Sequence, residues 1–96
     1  MSERNDAAKE LLISNVKRYR KAQHLTQEKL AEMSGLNSIA DIEGGRSNPN
    51  LSTIVKLANS LNVEVWQLFF DAEKVDLKKL SYESKRQLIK DLVDSI

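Results

Sequence analysis

The chain contains only three glycines, and their positions restrict how its central stretch can fold. Thr26 is a favourable N-cap for a short helix over about 27–34, and Gly35 would end that helix. A second short helix, over about 38–43, would end at Gly44-Gly45 because helix interiors disfavour glycine. The sequence therefore predicts two short helices joined by a sharp turn.

The apolar residues of this stretch predict that the two helices pack together. Leu30 and Ala31 fall on one side of the helix predicted over 27–34. Ile39 and Ile42 repeat at i and i+3 in the helix predicted over 38–43. Two packed helices connected by a turn that contains glycine are the arrangement of a helix-turn-helix, which reads DNA with its second helix. A DNA-reading unit is therefore the first functional hypothesis for this chain.

Helical periodicity continues on both sides of the motif. A first helix is predicted over about 5–23, with Asp6 as its candidate cap. Another helix is predicted over 51–61, with Asn50 as its cap. The buried face of that helix is expected to hold Leu51, Ile54, Leu57, Ala58 and Leu61. Strand signals are essentially absent, so the predicted fold class is all-α.

The segment after this helix is short and strongly apolar. Asn62 is expected to end the preceding helix in a left-handed conformation, and a short fifth helix is predicted over 63–70. Two interpretations are open for Trp66 and Phe69. They close the small core, or part of their surface continues into an interface between subunits.

An amphipathic sixth helix is predicted after Ser81, which can cap it. Its apolar stripe consists of Leu88, Ile89, Leu92, Val93 and Ile96. Such a stripe has to bury its apolar face on its own domain or against the same helix of a second subunit. We expect self-association, with residues 1–72 as a DNA-binding domain that has an extended first helix. Residues 73–96 would then be a C-terminal dimerisation element.

Length and composition exclude several classes of protein. Ninety-six residues suffice for one small domain with one core. The chain has no cysteine, which excludes disulfides, thiolate zinc sites and cysteine nucleophiles. It has no apolar run long enough to cross a membrane, and its charged N-terminus does not resemble a secretion leader. We therefore expect a cytoplasmic protein without a membrane partner.

The net charge of +1 does not identify a nucleic-acid partner, but the charge is unevenly distributed. Residues 1–25 carry six basic and three acidic side chains, whereas residues 26–72 carry three basic and six acidic ones. The first helix contains a basic run that begins with Lys17 and Arg18. Such a run is typical of a solvated helix face, and beside a helix-turn-helix it favours contact with DNA phosphates. Lys17 and Arg18 are therefore candidate DNA-binding residues.

The sequence does not indicate catalysis. The single histidine, His24, is expected to be solvent-exposed between two helices and has no second ligand at a metal-binding spacing. Asp41 and Glu43 should point to different sides of their helix, so they do not form a general acid and base pair. Gly44-Gly45 lacks the Lys and the Ser or Thr of a phosphate-binding loop. We therefore expect no enzyme activity, metal, cofactor or small-molecule ligand.

Three segments of the sequence resemble the Xre/Cro-repressor helix-turn-helix family. They read VKRYRKAQHLTQEKLAEMSGL, IADIEGGRSNP and LSTIVKLANSLNVEVWQLF, and the resemblance extends from Val16 to Phe69. It implies a lambda-repressor-like domain of five helices, to which the C-terminal amphipathic helix is added. In such a domain the second and third helices form the motif, and the third enters the major groove of DNA.

The resemblance also implies structural roles for four residues. Ala31 matches the family's small residue, because bulk there would separate the helices. Gly35 matches its turn glycine, which tolerates a positive φ. Arg20 and Glu43 are implied to form a buried or half-buried ion pair between the first and third helices.

The turn before the third helix is shorter than in the family, so the residues that contact base edges are not carried over directly. Asn37 and Ser38 are the natural replacements, and either could hydrogen-bond a base or a phosphate. Ala40 could meet a thymine methyl group. Asp41 would be repelled by phosphate unless it accepts from cytosine or holds a neighbouring arginine. A role as a helix-surface charge is an equal alternative for Asp41.

Other residues are implied to contact the DNA backbone or, in the case of Gln27, an adjacent base. Thr26 and Gln27 lie at the start of the second helix, whose N-terminus also supplies amide donors for a phosphate. Arg46, Ser47 and Asn48 follow the third helix and resemble positions that hold the other edge of the groove. Such contacts position a protein on DNA rather than read its sequence.

The resemblance implies a sequence-specific transcription regulator that binds as a homodimer to a two-fold operator in double-stranded DNA. Among small regulators of this family, a chain without a ligand-binding or self-cleaving domain resembles the controller proteins of restriction-modification systems, which control their own operon. RNA polymerase is the further partner that such control implies. A phage-type repressor, an antitoxin that regulates its own operon and a protein-binding adaptor that no longer reads DNA are the alternatives.

Overall fold

The computed structural model describes residues 3–71 and 82–94, and the regular secondary structure of these residues is entirely helical, with no strand among them. The elements are α1 (Glu3–Ala22), α2 (Gln27–Ser34), α3 (Ile39–Glu43), α4 (Leu51–Leu61), a 3₁₀ helix (Val65–Phe69) and α5 (Tyr82–Asp94). The all-α prediction is therefore confirmed. Helix α1 begins at Glu3, so the predicted cap at Asp6 is wrong and Asp6 lies inside the helix.

The ends of α2 are set by the residues that the sequence indicates. The Thr26 side chain accepts a hydrogen bond of 3.0 Å from the backbone N–H of Lys29, which caps the start of the helix. Gly35 ends the helix with φ of 72°, a left-handed conformation that a residue with a side chain adopts at a cost. Leu30 is fully buried between these ends.

Helix α3 has only five residues, or about one and a half turns. Ser38 precedes it as the N-cap and accepts from the backbone N–H of Asp41, so the predicted helix start at Ser38 is one residue too early. Ile39 and Ile42 are both buried, which confirms the two expected core positions. These two side chains fix the orientation of α3 on the domain.

The core forms where α1, α2, α3, α4 and the 3₁₀ helix meet. Its buried apolar residues are Leu12, Val16, Leu30, Ile39, Ile42, Leu57, Ala58, Leu61 and Leu68. Leu51 was expected on the buried face of α4, but its surface is 71% exposed. The prediction is wrong because the buried part of α4 begins only at Ile54, one turn further along.

The segment predicted as an α-helix over 63–70 is a shorter 3₁₀ helix. Asn62 is left-handed, with φ of 58°, as expected. The backbone N–H of Val63 then donates to the Ala58 carbonyl and completes the C-terminal cap of α4. A new helix can start only after this cap, and the reciprocal hydrogen bonds between Glu64 and Gln67 begin it.

A buried polar side chain connects α1 to the 3₁₀ helix. Asn15 donates from Nδ2 to the carbonyl of Leu68 over 2.8 Å and to that of Phe70 over 3.1 Å. Its own carbonyl oxygen accepts from Arg18 over 2.9 Å. Because the buried amide is fully used in this way, it holds the first and last elements of the core in one arrangement.

The predicted sixth helix is present as α5, whereas Ser81 and Ile96 lie outside the described residues. Ile89 and Val93 of this helix are 58% and 60% exposed. Leu92 is half-buried. In the part of the chain that the structure describes, no helix is both long and apolar enough to span a membrane.

Candidate nucleic-acid interface

A buried ion pair holds α3 against α1. The guanidinium of Arg20 donates from Nε to Oε2 of Glu43 over 2.6 Å and from Nη2 to Oε1 over 3.0 Å. Only 11% of the Arg20 side chain and 3% of the Glu43 side chain are exposed. This is the ion pair that the family resemblance implies, and its two parallel bonds restrict the rotation of α3 about its axis.

Gln27 extends this network to α2. Its Nε2 donates to Oε1 of Glu43 over 3.0 Å, so a half-buried residue expected to face DNA also connects the two helices of the motif. Burial raises the pKa of the Glu43 carboxyl, but the hydrogen bonds from Arg20 and Gln27 and nearby positive charges outweigh it and lower that pKa overall. The pKa of the Arg20 guanidinium is raised, chiefly by its hydrogen bond to Glu43.

The turn before α3, the exposed side of α3 and the loop after it surround a surface groove of about 270 Å³. Asn37, Ser38 and Asp41 line it from the motif, and Ser47 and Asn48 line it from the loop. The structure thus brings five of the candidate DNA-binding residues to one groove. Asn37, Asp41 and Asn48 are exposed there, whereas Ser38 and Ser47 are half-buried.

Asp41 and Arg46 form a salt bridge on the exposed side of α3. Nε of Arg46 donates to Oδ1 of Asp41 over 3.0 Å, and its Nη2 donates to the carbonyl of Ala40 over 3.0 Å. Of the roles left open for Asp41, the structure therefore contains the one in which it holds a neighbouring arginine. Gly44 makes room for the pair, because a Cβ there would lie 2.9 Å from Cζ of Arg46.

The loop over 44–50, here called the exit loop, is also held by α1. Nζ of Lys9 donates to the carbonyl of Gly45 over 3.0 Å and to Oδ1 of Asn48 over 2.8 Å. Lys9 is not among the residues that the sequence pattern predicts for this interface. The residue lies 36 positions from Gly45, and the only local signal was a lysine on the extended part of the first helix.

The two basic candidates of α1 differ in their surroundings. Lys17 and Arg18 are both exposed. Arg18 is nevertheless engaged within the domain, because it donates to Asn15 and its guanidinium carbon lies 4.9 Å above the Tyr19 ring. Thr26 uses its side-chain oxygen to cap α2. Of these residues, Lys17 has the least restricted side chain for a phosphate contact.

The candidate dimerisation residues fall into two groups. Trp66 and Phe69 are half-buried on the 3₁₀ helix, where Phe69 packs against the core and Trp66 makes an edge-to-face contact with Phe70. Ile89 and Val93 are exposed on α5. The side chain of Leu88 and the whole of Ile96 lie outside what the structure describes.

The histidine before α2 is exposed, as expected, and has a positive φ of 57°. Over residues 3–71 and 82–94, no group of three His, Asp or Glu side chains has the geometry to hold a metal ion.

The class of this protein is defined by two short helices that are joined by a left-handed glycine turn. One side of each helix is buried in the core, and the other side is exposed. A family model described as helix-turn-helix matches residues 16–65. The chain belongs to the helix-turn-helix family of DNA-binding transcription regulators.

Individual relatives are regulators rather than enzymes. Control protein C.SmaI of Serratia marcescens is 45% identical over 62 residues, which cover 62% of this chain and 74% of that protein. The immunity repressor protein of Bacillus phage phi105 is 35% identical over 74 residues, which cover 75% of this chain and 51% of the repressor. The match thus spans about half of the repressor's length.

A solved structure with a similar fold is also a controller protein. The restriction-modification controller protein C.AhdI from Aeromonas hydrophila superposes with a TM-score of 0.60 at 36% sequence identity. The match covers 68% of this chain and 98% of that one. The chain is thus similar to restriction-modification controller proteins in both sequence and fold.

Proposed function

We propose that this protein binds a two-fold operator as a homodimer and controls its own operon in a restriction-modification system. The observation that carries this proposal is the 45% identity to a control protein over 74% of that protein's length. The proposal includes recruitment of RNA polymerase, action in the cytoplasm and no enzyme activity of its own.

The reading surface would be the groove beside α3. Asn37 and Ser38 replace the residues missing from the shortened turn, and Ala40 and Asp41 follow them on the helix. The exposure of Asn37 and Asp41 supports this assignment, since base edges can be reached only by accessible side chains. Asp41 would face DNA with its charge already neutralised by Arg46.

Contacts to the DNA backbone would flank this surface on both sides. Ser47 and Asn48 would hold one strand from the exit loop, and Arg46 would add a positive charge there. On the other side, the contacts would come from Thr26, Gln27, Lys17 and Arg18. The exposure of Asn48 supports the assignment, because its side chain lines the groove and can be reached by a DNA strand.

A second subunit would supply the second half-site. We assign dimerisation to residues 73–96 with help from the 3₁₀ helix, through Trp66, Phe69, Leu88, Ile89, Leu92, Val93 and Ile96. The exposure of Ile89 and Val93 supports this assignment, because removing such an apolar stripe from water is favourable. Two reading helices would then lie about 34 Å apart, one turn of DNA.

A mobility-shift experiment tests the proposal. The full chain is mixed with DNA from upstream of its own gene and with a shuffled duplex of the same length, across a range of salt concentrations. We expect preferential binding to the upstream DNA that weakens steeply as salt rises, since phosphate contacts release counterions. Binding that is absent or insensitive to salt would instead indicate a protein-binding adaptor.

A phage-type repressor is the second candidate function, and the 35% identity to the phage phi105 immunity repressor favours it. The neighbouring genes distinguish the two. A methyltransferase gene and an endonuclease gene beside this one support the controller role, whereas prophage genes support the repressor role. A neighbouring toxin gene would indicate the antitoxin alternative.

A further inference from the structure

The N-terminal part of α1, before residue 16, contacts the exit loop. Lys9 and Ile13 lie one helical turn apart on α1, so both point to the same side. Lys9 bonds the Gly45 carbonyl and the Asn48 side chain. Cδ1 of Ile13 lies 3.7 Å from the position that a Cβ on Gly45 would occupy. Both residues precede the matched range 16–65, so this support comes from outside the family domain.

Lys9 contacts the exit loop at two points. Gly45 has a positive φ of 75°, and its carbonyl accepts a hydrogen bond from Lys9 on α1. The same ammonium fixes Asn48, a residue proposed to hold the DNA backbone. A flexible loop would have to be ordered on binding, and a preorganised one avoids part of that entropic cost.

The charge on Lys9 is not cancelled by its partners. Both of its acceptors are neutral oxygen atoms, and among the described residues no carboxylate lies within ion-pairing distance of it. By contrast, Arg46 in the same loop region is paired with Asp41. An ammonium group has three N–H donors, of which these two bonds use two. Among the described residues, one donor and the full positive charge of Lys9 remain without a partner beside Asn48, which lines the groove.

We propose that Lys9 positions the exit loop and adds one phosphate contact to the DNA interface. This inference rests on the proposed function, because it needs DNA as the partner. The ligand group is a backbone phosphate, so the contact is independent of sequence.

Salt-dependent binding measurements test the phosphate contact. Lys9→Met removes the charge and the donors, Lys9→Arg keeps both, and Lys56→Met removes an exposed lysine of α4 that does not line the groove. For Lys9→Met we expect weaker binding to the upstream and shuffled duplexes alike. We also expect the slope of log K against log salt to become shallower by about one unit. Lys9→Arg should retain most of the slope, and Lys56→Met should match the wild type.

NMR spectra of the free proteins test the positioning role without DNA. The resonances of the Gly45 backbone amide and the Asn48 side-chain amide should shift in Lys9→Met and stay unchanged in Lys56→Met. Thermal unfolding establishes that each variant is folded.

Each outcome has a separate meaning. If the wild type binds neither duplex at low salt, the proposed function fails and the phosphate contact fails with it. If the wild type binds and Lys9→Met has the same affinity and slope, the inference alone is overturned. Weaker binding at an unchanged slope overturns the phosphate contact, and unchanged amide resonances overturn the positioning role.

Discussion

Arg46 neutralises Asp41 across the end of the reading helix, with 3.0 Å between Nε and Oδ1. The pair places an acidic side chain at the proposed DNA surface without presenting a net negative charge. Gly44 has no side chain and so leaves space for the guanidinium in this position. The two charges therefore act as one unit, and their effects on DNA binding should not be additive.

We predict that Arg46→Ala weakens binding to every sequence, because it removes a positive charge and leaves Asp41 facing the phosphates uncompensated. The double variant Asp41→Asn, Arg46→Ala should recover part of the loss. Mobility shifts on upstream and shuffled duplexes measure both effects. Folding stability should change by less than about 1 kcal/mol, since both side chains are more than half exposed. A double variant that binds no better than Arg46→Ala would refute the coupling.

We predict that Arg20→Met destabilises the fold by about 3 to 5 kcal/mol, because it leaves the Glu43 carboxylate buried without its partner. Replacing both residues with Met should cost less than the sum of the single losses. Urea unfolding measures the free energies. The exposed pair of Lys29 and Glu32, 3.7 Å apart, is the control, and Lys29→Ala should cost less than about 1 kcal/mol. Equal effects at the two pairs would contradict this prediction.

We predict that the free energy of unfolding decreases at acid pH because of the Glu43 carboxylate. Glu43 has a lowered pKa in the folded protein, so the folded state binds its proton more weakly than the unfolded state does. The stabilisation is complete above the ordinary glutamate pKa of about 4.3 and is lost as the pH falls through the lowered value. Unfolding free energies measured from pH 7 downwards should therefore decrease below about pH 4.3. Glu43→Gln should flatten this decrease, and a decrease of the same slope would count against the assignment.

We predict that Ile89→Asp and Val93→Asp shift the protein from dimer to monomer, because each places a charge on the exposed apolar stripe of α5. Removal of residues 76–96 should do the same. Sedimentation equilibrium measures the mass. Lys90→Ala changes an exposed polar residue of the same helix and should leave the mass unchanged. A dimer that survives both aspartate substitutions would exclude α5 as the interface.

Local chemistry explains which parts of the fold were predictable. Thr26 and Gly35 act through hydrogen bonds and backbone angles within a few residues of themselves, so sequence alone located the ends of α2. Ile39 and Ile42 were predictable because a spacing of three places them on one helix face. The groove residues were predictable because they lie next to these helix ends and core positions in the sequence.

The features that were missed depend on distant parts of the chain. Leu51 fits the apolar period of α4, but only the packing of neighbouring elements determines where burial begins. The 3₁₀ helix is short because Val63 is used in the preceding cap. Lys9 reaches the exit loop only because α1 crosses the domain beside it. No short-range pattern encodes that crossing.

The bonds from Asn15 to Leu68 and Phe70 have a consequence for biosynthesis. They join residues 53 and 55 positions apart, so this link between α1 and the 3₁₀ helix forms only after synthesis has passed the helix-turn-helix and reached Leu68 and Phe70. Closing so long a loop costs chain entropy before the contact repays it, which slows folding. A chain that ended between Asn50 and Leu68 would contain the whole motif but lack this link. The cell would thus obtain a working regulator only from translation that has passed the motif and continued well beyond it.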